Sequence, residues 1–176
     1  MTVPGGGDDA ASSSAPARRR RPEPSPLHRA LGLLTRREHS RQELGRKLVS
    51  RGVDRGDAQA AIDKLAAAGW QDDARFAESL VRSRASTGYG PAFIRAELGT
   101  HGLAKDAIAL AMETVEGDWT GNARDLLARR HPGAQAGDRV AQRKAVDLLL
   151  RRGFSMEQVR AALRPTADAG GEGGCL

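Results

Sequence analysis

Few residues in this 176-residue chain have the types and spacing that catalysis demands. No Gly-rich loop ends in Gly-Lys-Ser or Gly-Lys-Thr, the pattern that cradles nucleotide phosphates; "TGYGP" (87–91) reads instead as a turn leading into Pro91. His28, His39, His101 and His131 are scattered without metal-ligand spacing. Asp72 and Asp73 are adjacent at a helix start, where carboxylates cap amides and meet the positive end of the helix dipole. The single cysteine, Cys175, sits in "GGEGGCL" with no base beside it. No Ser-His-Asp or Cys-His constellation can be assembled. The chain is expected to be a binding protein, not an enzyme, with no catalytic residue, no metal and no cofactor.

Cations offer the remaining chemistry. "LTRREHSRQELGRKLVSRG" (34–52) holds Arg36, Arg37, Arg41, Arg46, Lys47 and Arg51 against only Glu38 and Glu43. Ser40 and Glu43 have the Ser-x-x-Glu spacing of a capping box, in which the hydroxyl accepts from the third amide and the carboxylate reaches back to the cap amide. Leu44 and Leu48 lie four apart on one face, and Gly52 supplies the left-handed residue that stops the helix. Arg46, Lys47 and Arg51 are therefore expected to point away from the apolar seam. They form either a solvated face or a surface that meets a polyanion.

The helix that carries these cations recurs. "SRQELGRKLVSRGV" (40–53), "GPAFIRAELGTHGL" (90–103) and "AQRKAVDLLLRRGF" (141–154) align. Leu44, Ile94 and Ala145 coincide, as do Leu48, Leu98 and Leu149, and then the stops Gly52, Gly102 and Gly153. The following helix repeats through Ala58, Ile62 and Leu65, then Ile108, Met112 and Val115, then Val159 and Leu163. Phe154 and Val159 flank Ser155 as a hydrophobic staple, and Gln158 completes a capping box. A leading helix is expected at about 27–37, 73–86 and 120–130. Trp70 and Trp119 precede the second and third of these and are expected to pack between repeats. No segment alternates as a strand should. The predicted fold is all-α, an elongated array of three tandem three-helix repeats at 27–70, 71–117 and 118–165, with joints near 69–71 and 116–118.

The ends differ. Residues 1–26 are Gly, Ser, Ala and Pro around an Arg18–Arg21 block, and 166–176 are Gly-rich; both are expected to be flexible tails, and the Arg block either solubilises the chain or tethers a nucleic acid, the first reading being favoured. One cysteine precludes a disulfide framework within the chain and fits a reducing, cytoplasmic setting. No apolar run approaches the roughly 20 residues of a spanning helix, and no secretory apolar segment is expected at the N-terminus.

The chain carries a net charge of +6 and a pI near 10.4, which favours an acidic partner. Its 3% aromatic content argues against a base-stacking sheet surface. Residues 27–56 hold eight cations and three anions, and residues 121–152 hold the same numbers. Residues 57–80 and 101–120 each carry net negative charge. Two basic blocks separated by acidic stretches suit an extended partner better than a merely solubilising surface, which intersperses its signs.

The sequence resembles the RecX family of bacterial regulatory proteins across about 27–165. The resemblance rests on "ALGLLTRREHSRQELGRKLVSRG", on "DDARFAESLVRSRASTGYGPAFIRAELGTHG", and on a more divergent third unit. Arg37, Ser40, Glu43, Leu44, Lys47 and Leu48 form one characteristic combination; Asp73, Arg75, Phe76 and Ala77, followed by Gly88 and Gly90, form another. The Arg- and Gly-rich ends lie outside it. The resemblance implies a tandem three-helix fold. It also implies binding to the RecA filament on single-stranded DNA and modulation of RecA, usually inhibition, with effects on repair, recombination and the SOS response. The cations expected to face RecA or DNA are Arg36, Arg37, Arg41, Arg46, Lys47, Arg51, Arg82, Arg84, Arg95, Arg143, Lys144, Arg151 and Arg152. The protein is expected to act as a monomer with no membrane partner. Competing readings are a helix-turn-helix DNA-binding regulator and a helical interaction scaffold. The acidic character of 57–68 weighs against the first, since a recognition helix should be basic or amide-rich.

Overall fold

The computed structural model describes residues 23–114 and 118–164, so the expectations for both tails, for Val115 and for part of the second joint lie outside the described residues. Within the described residues there are nine α-helices and no strand. They are α1 (Pro26–Leu34), α2 (Arg41–Val49), α3 (Arg55–Ala67), α4 (Asp73–Ser86), α5 (Pro91–Thr100), α6 (Lys105–Glu113), α7 (Trp119–Arg130), α8 (Arg139–Arg151) and α9 (Met156–Leu163). A short 3-10 turn, Pro132–Ala134, lies between α7 and α8.

The helices group in threes, and every extensively packed pair lies inside a group. In each, the leading helix packs on the third and the middle helix joins them. Three separate cores result. The first gathers Ala30, Leu33, Leu44, Leu48, Ile62 and Leu65. The second gathers Phe76, Val81, Ile94, Leu98, Ile108 and Met112. The third gathers Leu126, Leu127, Ala145, Leu149, Phe154 and Val159. The aligned seam residues Leu44, Leu48, Ile94, Leu98, Ala145 and Leu149 are all fully buried. The fold is an all-α repeat array.

Local signals produce these elements. Gly52, Gly102 and Gly153 adopt φ of 82°, 78° and 85°, so each middle helix ends on a left-handed residue that side-chain-bearing residues rarely adopt. Pro91 begins α5, where its missing amide hydrogen does no harm. Ser155 and Gln158 form a complete capping box. Ser40 and Glu43 form only half of one: the Ser40 hydroxyl accepts from the Glu43 amide, but the carboxylate turns away to Arg37 and Lys47. A guanidinium and an ammonium group bind it more strongly than a neutral amide does.

The tryptophans behave differently from each other. Trp119 packs against the core of the second unit, as a residue between repeats should. Trp70 is 54% exposed, so its expected packing between repeats is not found. The chain there is turned by Gly69 (φ 74°), and it is the neighbouring Gln71 that is buried, its side chain donating to Asp73.

Candidate functional site

The units meet at two narrow joints built on one plan. Ser40, the N-cap of α2, lies 3.2 Å from Nδ1 of His101, the C-cap of α5. Gly90, the N-cap of α5, donates its amide to the carbonyl of Arg152, the C-cap of α8, at 2.7 Å. The three middle helices thus run head to tail. The positive end of each dipole meets the negative end of the next, a favourable arrangement.

The first joint is polar and side-chain-built. The Asp73 carboxylate accepts from the backbone amide of Arg41 at 2.9 Å and from the Gln71 side chain at 2.8 Å. Arg75 donates to Glu38 at 3.0 Å. Asp72 caps α4 through the amides of Ala74 and Arg75. The adjacent pair of aspartates therefore divides into a cap and a strut, and neither has the setting of a catalytic acid.

Beside this joint His39 is buried, with its Nδ1 2.9 Å from the Arg37 carbonyl. A carbonyl can only accept, so Nδ1 carries the proton and Nε2 presents a lone pair. Lys47 Nζ stands 3.0 Å from that Nε2 and 2.8 Å from Glu43 Oε1. Arg37 holds the same carboxylate with both arms of its guanidinium. Burial alone would raise the Glu43 pKa, but the hydrogen bonds from Arg37 and Lys47 outweigh it and hold it down to about 2. Burial lowers the pKa of His39, and likewise that of His101, whose ring lies 4.8 Å from Phe76. Two of the histidines that look scattered in sequence thus converge here near one carboxylate. Ser40 and His101 stand 61 positions apart in the chain, beyond the reach of any spacing rule. Among the described residues no group of His, Cys, Asp and Glu could hold a metal ion.

The second joint is built from backbone. Besides the Gly90–Arg152 bond, the Ala92 amide donates to the Gly153 carbonyl at 3.1 Å. A Cβ on Gly90 would lie 2.5 Å from the Gly153 backbone, so only glycine permits this approach. The Arg152 guanidinium donates to the Thr87 carbonyl at 3.3 Å and lies over the Tyr89 ring, 4.3 Å from its centroid. Arg84 donates both arms to Glu97, at 2.7 and 2.6 Å. That bidentate pair holds Glu97 below the usual carboxylate range.

The thirteen candidate cations fall into three groups. Arg37, Arg41, Lys47, Arg82 and Arg84 are ion-paired, to Glu43, Asp63, Glu43, Glu78 and Glu97 respectively. Arg152 is held at the second joint. The expectation that Lys47 points away with Arg46 and Arg51 is therefore corrected. The apolar seam of α2 fixes only which residues face their own unit, whereas Lys47 turns along the helix to Glu43 and the buried His39. Arg36, Arg46, Arg51, Arg95, Arg143, Lys144 and Arg151 are exposed, without a carboxylate partner among the described residues. No helix among the described residues is long and apolar enough to cross a membrane.

Comparison with known proteins matches three consecutive profiles: the RecX first three-helix domain at residues 27–65, the second at 72–112 and the third at 118–163. The chain is 60% identical over 146 residues to the regulatory protein RecX of Stenotrophomonas maltophilia strain R551-3, covering 83% of this chain and 90% of that one. It is 59% identical over 142 residues to the regulatory protein RecX of Xanthomonas oryzae pv. oryzae strain MAFF 311018, covering 81% and 89%. The crystal structure of RecX from Lactobacillus salivarius superposes with a TM-score of 0.63 at 26% identity, covering 78% of this chain and 92% of that one. A second regulatory protein RecX structure, at 22% identity and TM-score 0.65, shares the fold; it covers 77% of this chain and 69% of that one.

Proposed function

This chain belongs to the RecX family of regulatory proteins, and we propose that it modulates RecA recombinase, in the inhibiting direction, by binding the RecA filament on single-stranded DNA. The head-to-tail array is the observation that carries this reading. The two outer units present cations without a carboxylate partner among the described residues: Arg36, Arg46 and Arg51 in the first, Arg143, Lys144 and Arg151 in the third. Such a body suits an extended, repeating, negatively charged partner and touches it at more than one place. Its effect on RecA is a shift of equilibrium. Binding across subunits favours filament states that turn over ATP slowly or lose subunits, in proportion to its differential affinity for those states.

The test is RecA-catalysed, DNA-dependent ATP hydrolysis titrated with the protein. Hydrolysis should fall as the protein is added; no effect at several-fold molar excess over RecA would remove the reading. The double variant Arg46→Ala, Arg51→Ala should keep its helix content, because both residues are exposed, alanine suits the helix at position 46, and position 51 lies in the turn after α2. It should inhibit less well and with a flatter salt dependence, by about 0.7 in logarithmic slope for each single-strand phosphate it no longer neutralises. Unchanged inhibition at every salt concentration would make these two charges a solvated face.

A further inference from the structure

At the second joint a cleft of about 530 Å³ is lined by Arg84, Arg129, Arg130 and Arg152, together with Thr87 and Tyr89. Arg129 and Arg130 lie outside the set of candidate cations drawn from the sequence. They close the last turn of α7, are exposed, and have no carboxylate at ion-pair distance among the described residues. Arg152 is held by a carbonyl and a ring, so its charge is also uncompensated. Only Arg84 is neutralised, by Glu97. Three guanidinium charges therefore face one opening. The negative end of a helix dipole offsets roughly half a charge, far less than three.

The shape of the cleft selects among anions. One wall is held in place by the Arg152 guanidinium on the Thr87 carbonyl and the Tyr89 ring and by the backbone bond from Gly90 to Arg152, so ordering on binding is confined to Arg129 and Arg130. Planar guanidinium forks match the oxygens of phosphate. The Tyr89 ring is stacked on Phe93, with centroids 4.4 Å apart, and already carries Arg152. It is engaged and offers no free platform for a base. The cleft therefore reads charge and is indifferent to base identity. A single carboxylate cannot balance three guanidinium groups, whereas successive phosphates along a strand can.

We propose that this cleft is a phosphate-binding site that grips the backbone of a single nucleic-acid strand. Arg129 and Arg130 are its principal anion-binding groups; Arg84 and Arg152 form its walls. The identity of the strand rests on the RecA-filament reading above, but the site does not require RecA.

The experiment uses the full chain without RecA and a fluorescently labelled oligothymidylate, whose anisotropy is followed from low to moderate salt. Arg129→Gln with Arg130→Gln should weaken binding at low salt by about tenfold or more and flatten the logarithmic salt slope by about 1.4, the value for two phosphates left unneutralised. Arg129→Lys with Arg130→Lys should restore the slope. Inorganic tripolyphosphate should displace the oligonucleotide from the parent protein, and polyglutamate of equal charge should not. A slope unmoved by the glutamine pair would overturn the proposal. So would displacement by polyglutamate as effective as by tripolyphosphate, which would assign the cleft to an acidic protein surface. If the glutamine pair melts early, the competition on the parent protein decides the matter. Since RecA is absent, loss of the RecA reading leaves this test standing. Oligonucleotide binding that ignores both substitutions sinks the cleft without touching the RecA titration.

Discussion

At the scale of single residues, the His39–Glu43–Lys47 cluster makes the protein acid-sensitive in two steps. Nε2 of His39 receives a proton only by placing a second cation 3.0 Å from Lys47. Burial is the main reason its folded pKa lies below the ordinary value of 6.5, with the charges of Arg37 and Lys47 adding to it, and burial lowers His101 likewise. For a lowered histidine, stability is fully present above pH 6.5 and declines as the unfolded chain takes protons that the folded chain refuses. Glu43, brought from 4.5 to about 2, has the same sign: its contribution is present above pH 4.5 and fades towards pH 2. That drop is worth on the order of 3 kcal/mol. Melting temperature should thus be level above about pH 6.5, fall below it, and fall again below about 4.5. His39→Gln, which keeps one donor and one acceptor, should shrink the upper step, His101 remaining, and leave the lower one. A melting temperature flat from pH 7 to pH 5 would contradict the cluster. The sequence shows His39, Glu43 and Lys47 spaced by fours, but not that His101 joins them, because His101 arrives from a different unit.

At the scale of elements, the middle helices are the most legible part of the molecule. Their apolar seams and stops, like the Ser155–Gln158 box that opens α9, are local signals, set by residues within one turn of each other, and these survive whatever surrounds them. The misread features are those that depend on neighbours. Glu43 leaves its cap for two cations, Lys47 turns along the helix to Glu43 and His39, and Trp70 is left exposed. Nor does the sequence foretell the 3-10 turn of the third unit, three residues too short for any periodicity to register. Seam and joint should respond differently to mutation. Leu98 is fully buried, with the second core around it. Leu98→Ala should cost about 2 to 5 kcal/mol, since transfer energy is lost and a cavity left. Chemical denaturation measures it, and a loss under about 0.5 kcal/mol would place Leu98 outside the core.

At the scale of the whole molecule, three small cores joined end to end form a body whose shape depends on few bonds. Every extensive helix packing is internal to a unit, so a joint can loosen while the helices persist. Asp73 is the sharpest point at which to test this. Its carboxylate ties the first helical amide of α2 to Gln71 and the start of α4, and it belongs to neither core. Asp73→Ala should leave the far-ultraviolet circular dichroism nearly unchanged while the radius of gyration from small-angle scattering rises. The parent value should already exceed the roughly 16 Å of a compact chain this long. Because both chains carry the same ends, the difference between them reports the joint alone. If helix content falls in step with any expansion, the units unfold as one cooperative body and the array is not a chain of separable parts. If neither quantity moves, the other struts of that joint, Arg75 to Glu38 and Ser40 to His101, suffice to hold it. The first joint would then be as stiff as the backbone-built second.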